Sequence, residues 1–539
     1  MGFSLTLFLI LVSLPVILAQ ELNFAKIVVD GTTEIAETDD TYICATIDWW
    51  PSDYCRYGFC TWQNASAITM DLSNPLLAKT IQAFKHLRIR VGGSPEDQVI
   101  YDVGNPGKPC HPFQRKGNGL FGYTTGCLSM SRWDELNQFF SKTGAIVTFG
   151  LNALNGRHNQ GILWLGDWDP SNAEALIKYT ISKGYHIDSW EFGNELSGSG
   201  IGARVEAAQY AKDLIILKKI MNELYWKSSF KPKLVAPGGF YDKNWFNRLF
   251  QDSGSGVVNI VTYHIYNLGP ANDHNLVNKI LDPSHLSNSV LGTFTDVEQT
   301  VQEHGPWASI WVGESGGAFG GGAPNVSDRF VNSFWYLDQL GMAAKYNTKV
   351  YCRQSLVGGN YAILNRTTFE PNPDYYSALL WHRLMGTGVL EVDTDASPEL
   401  RIYAHCSKGR GGVTLLLLNL SKQSEFIITV YNRVNVNMQG KNGILLKRSS
   451  KFGHKQKNSR DEKKKGSDGL SYREEYHLTP KDGDIQSQTS VLNGNPLNVT
   501  DGELPILHPV LNDDNSPIYI SPLSIAFIVI PNFEAPACA

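Results

Sequence analysis

Two acids in this chain stand where chemistry could be done. The run W-E-F-G-N-E-L, from Trp190 to Leu196, sets an amide and an acid side by side, Asn194 and Glu195, at the end of a short strand-like stretch. A carboxyl at the end of a buried strand costs free energy unless it is hydrogen-bonded or paired. Glu314, in I-W-V-G-E-S-G-G, follows a similar apolar run. Two facing carboxyls suit cleavage of a glycosidic bond. One stays protonated and gives its proton to the leaving oxygen; the other stays ionised and attacks the anomeric carbon. Their repulsion raises one pKa, so proximity itself assigns the two protonation states. A separation of about 5–5.5 Å corresponds to a retaining double displacement, and about 6.5–9.5 Å to inversion. Asn194 then has a use, because its amide can hydrogen-bond the sugar 2-OH. The bland alternative is that Asn194 and Glu195 cap the following helix.

Such a pair has to be held by elements far apart in the chain. From about 70 to 390, short β-like runs alternate with helix-like ones. The β-like runs are 86–93, 144–152, 188–195, 233–239, 257–266, 308–314 and 349–356; helical spacing marks 132–140, 172–183, 207–220 and 326–340. Repeated βα units predict a parallel sheet, and about eight of them close into a barrel. Active-site loops then sit at the C-terminal ends of the strands. The spacing of Glu195 and Glu314 fits strands four and seven of one barrel.

After Glu391 the pattern changes. T-L-L-L-L-N-L (414–420), F-I-I-T-V-Y (426–431) and S-I-A-F-I-V-I (524–530) alternate with turns, as in an antiparallel β-sandwich, which A-K-I-V-V-D (25–30) is expected to join. The predicted class is thus α/β, a (β/α)8 TIM barrel with an accessory antiparallel β-sandwich. The predicted division is a signal peptide over 1–20, N-terminal strands for the sandwich and the barrel start over 21–50, the catalytic barrel over 51–390, and the sandwich over 391–539.

With 539 residues the chain is long enough for both parts. A formal net charge of −5 leaves no overall basic footprint, which argues against nucleic acid as a partner. The first twenty residues, almost free of polar groups, read as a secretory leader cut after about Ala19 or Gln20, and no later stretch is long and apolar enough to span a bilayer. Export permits disulfides among the eight cysteines; none shows a zinc spacing, and Cys55 with Cys60 reads as a loop staple. Sequons stand at Asn64, Asn325, Asn365, Asn419 and Asn498. The basic run 447–466 reads as a solvated loop, or more sharply as a patch for acidic polysaccharide.

W-E-F-G-N-E-L, W-V-G-E-S-G-G-A-F-G-G-G-A-P and V-G-G-N-Y closely resemble the heparanase and β-glucuronidase family, in its plant heparanase-like branch. R-I-Y-A-H-C and the ending F-I-V-I-P-N-F-E-A-P-A-C-A extend the resemblance along the chain. It implies a retaining mechanism with Glu195 as acid/base and Glu314 as nucleophile. It places His264 and Tyr266 beside the nucleophile, where Tyr266 could donate to Glu314 and help keep it ionised. It assigns Gly320, Gly321, Gly359 and Tyr361 to a pocket for a glucuronate carboxylate, where glycine lets backbone N–H groups approach an anion. It also implies substrate contacts from Asp48 and Ser94 and a Cys406–Cys538 disulfide. Arg90 reads as a scaffold partner of barrel acids, and Glu191 as a structural inward-facing acid. No basic residues for an extended sulfated chain are evident near the barrel motifs, and no long excised linker follows Ser94.

The expectation is a secreted β-glucuronidase acting on glucuronate-containing glycans or glucuronides, without metal or organic cofactor. Its location would be extracellular or in the cell wall, with peripheral association to a vacuolar or lysosome-like membrane left open. Beside it stand an endo-β-glucuronidase acting on heparan sulfate-like polysaccharide and a non-catalytic carbohydrate-binding wall protein.

Overall fold

Eight short parallel strands close on themselves in chain order: Ile43–Ile47, Arg88–Val91, Ile146–Leu151, Ser189–Phe192, Lys233–Phe240, Ile260–His264, Ser309–Ser315 and Thr348–Arg353. The computed structural model describes residues 21–104, 110–434 and 471–539. The expected leader over 1–20 and the basic run 447–466 lie outside the described residues. Several barrel strands are buried at every position, because helices cover the outer face and side chains fill the lumen. A helix follows each strand; those after strands two, three, four and seven are Met130–Thr143, Ser171–Ser182, Ala207–Leu224 and Phe330–Lys345. Helices Pro75–Gln82, Lys243–Ser253, Leu291–His304 and Pro373–Leu384 complete the ring without having been singled out by periodicity. Two of them carry a local signal, since Asn74 and Asp242 accept bonds from first-turn N–H groups.

The second part is a sheet curled on itself, and it differs from a purely antiparallel sandwich. Glu21–Glu37 pairs antiparallel with Met385–Thr394 but parallel with Ser424–Asn432. A strand from the far N-terminus needs no hairpin to reach its neighbours, so the direction of pairing is free. Val413–Asn419 and Ser524–Ile530 are buried throughout. Their side chains alternate between two cores: Leu416, Leu418, Ile525 and Phe527 face the barrel's core, and Leu415, Leu417, Ala526 and Ile528 a second one. The sheet is therefore clamped to the barrel by one face of its central strands.

All eight cysteines are paired. Cys44–Cys352 joins the first and last barrel strands across the closure, Cys55–Cys60 staples a loop, Cys110–Cys127 ties the segment after strand two, and Cys406–Cys538 fastens the chain end to the sheet. The pairing of Cys406 with Cys538 agrees with the resemblance. One sequon needs correcting. Asn419 is fully buried and its Nδ2 donates to the carbonyls of Ser424, Ile520 and Ser521, so it has neither access nor a free nitrogen for a glycan. Asn64, Asn325 and Asn498 are exposed, and Asn365 is half-buried.

Candidate active site

Strand four ends at Phe192, earlier than the run 188–195 suggested, and Gly193-Asn194-Glu195 form a turn over the barrel mouth. Glu195 adopts a positive φ of 55°, a strained conformation for a residue with a Cβ. Two bonds fix it: Glu195 N–H donates to Gly238 O at 2.7 Å, and Asn194 N–H to Asp97 Oδ2 at 2.9 Å. The next helix starts at Ala207 with Glu206 at its N-cap, so Asn194 and Glu195 do not cap it.

Glu314 sits within strand seven, on the same end of the barrel. One oxygen of Glu195 and one of Glu314 lie within 4.8 Å of each other, and His264 Nδ1 stands 3.0 Å from Glu195 and 3.9 Å from Glu314. The surroundings of the two acids differ. Glu314 Oε1 accepts from Tyr266 Oη at 2.6 Å and Oε2 from Arg90 at 3.0 Å, an arrangement that suits a carboxylate. Glu195 Oε1 lies 3.0 Å from His264 Nδ1. Burial pushes the Glu195 pKa up to about 7, with Arg90 and then Arg56 pulling the other way. Burial likewise drives His264 down to about 4, so the imidazole beside Glu195 is neutral. A cation could in principle span Glu195, His264 and Glu314, but Arg90 already holds Glu314 Oε2.

Arg90 organises the floor. It lies in strand two, is buried, and reaches Glu191 at 2.5 Å, Glu314 at 3.0 Å and Asn194 Oδ1 at 2.8 Å. The expected scaffold arginine therefore also touches the candidate nucleophile. Glu191 has no access to solvent and is held by Arg90 and Thr262, in keeping with a structural role. Arg90 takes Asn194 Oδ1, and the amide nitrogen Nδ2 is buried and has no partner among the described residues. That donor is free for a sugar hydroxyl.

Both acids line a cavity of about 300 Å³ with Asp48, Ser94, Tyr266, Gly320, Gly321 and Tyr361. Asp48 accepts from Gln354 Nε2 and from Trp49 N–H, each at 2.8 Å; burial, and then the charge of Glu314, raise its pKa. Gly320 and Gly321 have φ of 87° and 102°, conformations that favour glycine. Among the described residues neither donates its N–H to a protein acceptor, so both can serve an anion. Gly359 needs correcting: its N–H is spent on Thr61 O at 3.1 Å, and it lines the neighbouring cavity rather than this one. Its lack of a side chain instead admits the Tyr361 ring, which a Cβ would meet at 2.4 Å.

The residue-by-residue reading missed Asp97, Gln354, Trp50, Trp62, Tyr54 and Arg56. Asp97 lies in S-P-E-D-Q, which reads locally as a turn; Gln354 falls inside the β-like run 349–356 but was not singled out as a site residue, and the strand itself ends at Arg353. Arg56 lies in the stapled C-R-Y-G-F-C loop, where a cation near the site had not been expected.

Comparison with known proteins adds four findings. The model of the glycosyl hydrolase family 79 N-terminal domain matches residues 24–341. The chain is 59% identical to heparanase-like protein 1 of Arabidopsis thaliana, over 97% of this chain and 96% of that one. It is 35% identical to the baicalin-β-D-glucuronidase of Scutellaria baicalensis, over 96% and 93% respectively. Among solved structures, the fold is similar to that of a 4-O-α-L-rhamnosyl-β-D-glucuronidase from Fusarium oxysporum, with a TM-score of 0.62 at 13% identity over 94% of this chain and 100% of that one.

Proposed function

Because the chain belongs to glycosyl hydrolase family 79 and is a glycosidase, we propose that it is a β-glucuronidase that removes terminal glucuronate with retention of configuration. One observation carries the reading: two carboxyls approach within 4.8 Å, one held at a pKa of about 7 and the other gripped by Arg90 and Tyr266. Such a close approach of the two carboxyls supports direct attack by one of them, as in a retaining double displacement.

In the first step Glu314 attacks the anomeric carbon while protonated Glu195 gives its proton to the glycosidic oxygen, releasing the aglycone. In the second, Glu195 takes a proton from water, which attacks the same carbon and frees Glu314. Asn194 Nδ2 donates to the 2-OH, and Asp48 meets hydroxyls on the far side of the ring. The cavity of about 300 Å³, walled by Trp50, Trp62 and Tyr361, suits a single terminal sugar. The similarity to baicalin-β-D-glucuronidase supports a glucuronide substrate. Export is proposed with it: all eight cysteines are in disulfides, which fits an oxidising compartment.

Glu314→Gln is expected to lower kcat on an aryl β-glucuronide more than about a thousandfold; near-normal turnover would defeat the assignment. Azide should rescue Glu195→Ala on substrates with good leaving groups, giving a β-glycosyl azide if configuration is retained. Uronate-capped oligosaccharides should yield monosaccharide; internal fragments would favour an endo-acting enzyme.

A further inference from the structure

The loop carrying Arg56 is built to hold a cation at the cavity. Cys55 and Cys60 are joined, and inside that staple Arg56 and Phe59 exchange backbone hydrogen bonds of 2.9 Å in each direction. The loop packs directly on the glycine turn. A Cβ on Gly320 would fall 2.4 Å from the Tyr57 ring and 3.5 Å from Arg56 Cδ, and one on Gly321 would fall 3.1 Å from Thr61 Oγ1. Arg56 therefore lines the same cavity as Gly320, Gly321, Glu195 and Glu314.

Positive charge is scarce in the lining of that cavity. Three acids line it, Asp48, Glu195 and Glu314, and Arg56 is its only cationic lining residue among those described. Arg90 lies beneath the floor and is consumed by Glu191, Glu314 and Asn194. The stapled loop's neighbouring acid, Asp53, is paired with Arg115 at 2.7 Å, so Arg56 is neighboured by the hydroxyls of Tyr54 and Tyr57 rather than by that acid. Of these acids Glu314 carries the charge, since burial favours the protonated forms of Glu195 and Asp48, and a uronate adds a second negative charge beside it. The N–H groups of Gly320 and Gly321 offer partial charges but no net charge.

We propose that Arg56 selects an anionic sugar, its guanidinium taking the C6 carboxylate of a uronic acid held against the Gly320-Gly321 turn. The proposal deepens the glucuronidase reading and rests on it. Planar guanidinium and carboxylate can meet through two parallel bonds, which a lysine cannot reproduce. Arg56 also acts on Glu195, whose pKa its charge lowers, so its field reaches the reacting centre.

The test compares the full-length wild type with Arg56→Met and Arg56→Lys on an aryl β-glucuronide, its methyl ester and the corresponding β-glucoside, with thermal midpoints as the folding control. Arg56→Met should lose about 10–100-fold in kcat/KM on the glucuronide, chiefly through KM. The uncharged ester and glucoside should lose less than about threefold, and Arg56→Lys should recover part of the glucuronide loss. Added salt should weaken glucuronide turnover by the wild type more than by Arg56→Met. Equal losses on all three substrates would make Arg56 a structural residue and overturn the proposal. So would an unchanged preference for glucuronide in Arg56→Met, which would leave the glucuronidase reading intact. A wild type that prefers the glucoside would instead overturn that reading, and this proposal with it.

Discussion

Asn194 Nδ2 is buried with no acceptor among the described residues, a costly state for a donor unless the substrate completes it. Asn194→Ala should therefore lower kcat/KM on a glucuronide by about 10–100-fold. The 2-deoxy substrate should lose a similar factor with the wild type and little more with the variant; full additivity would count against the contact. Glu195 sets the basic limb of the pH profile. It must hold a proton to act as acid, so kcat/KM is expected to fall about tenfold per pH unit above a pKa of about 7. A limb lying near the ordinary carboxylate value would show that burial does not govern this group. The pairing of an amide and an acid at a strand tip was legible from W-E-F-G-N-E-L alone. The orientation of Asn194 was not, because it depends on Arg90 from another strand.

At the scale of the element, the turn Gly193–Glu195 relies on the short helical turn Ser94–Gln98. Asp97 accepts from Asn194 N–H at 2.9 Å and from Ala153 N–H at 2.7 Å, so one side chain braces the loops after strands three and four. Asp97→Ala would leave two buried donors unpaired, each costing about 1–3 kcal/mol. The variant is expected to unfold at a markedly lower temperature and to lose kcat more than KM, since Glu195 would no longer be held in its strained turn. Asp97→Asn, which keeps an acceptor for one N–H, should be milder on both measures; an Asp97→Ala enzyme of normal kcat would remove this brace from the account. The barrel strands were readable as apolar runs. Helices such as Leu291–His304 were not singled out, because barrel helices owe their stability mainly to packing on the strands rather than to a clean stripe of their own.

For the whole molecule, several buried acids hold protons more tightly in the fold than in the open chain. Asp97 and Glu195 both have pKa values pushed up to about 7 by burial. Between about pH 6.5 and 8 these groups lose protons in the native state, while the unfolded carboxyls are already ionised. The native state then binds more protons than the unfolded one, so stability falls as pH rises through this window. His264, His382 and His405 act the other way, each neutral in the fold and about half protonated in the open chain near pH 6.5, but Asp48, whose pKa burial raises to about 8, adds to the fall. The thermal midpoint is expected to drop by a few °C from pH 6.5 to 8; a rise across that range would reverse the sign. The Cys406–Cys538 bridge spans 132 residues and anchors the chain end to the sheet that the barrel packs against. Replacing both cysteines with serine should cost about 2–4 kcal/mol by thermal or denaturant unfolding while leaving the barrel-borne site chemically unchanged.

What the sequence determined by itself was the set of reacting groups and the frame that carries them. The βα alternation follows from periodicity, and acids at strand ends stand out because buried carboxyls are costly without a role. The resemblance then supplied which acid does what. Tertiary structure alone decided the close approach of Glu195 and Glu314, the three-way grip of Arg90, the withdrawal of Gly359 from the cavity, the burial of Asn419 and the arrival of Arg56 at the glycine turn. Each of these joins residues far apart in the chain, and distance in space is set only when the barrel closes and the loops pack over its mouth.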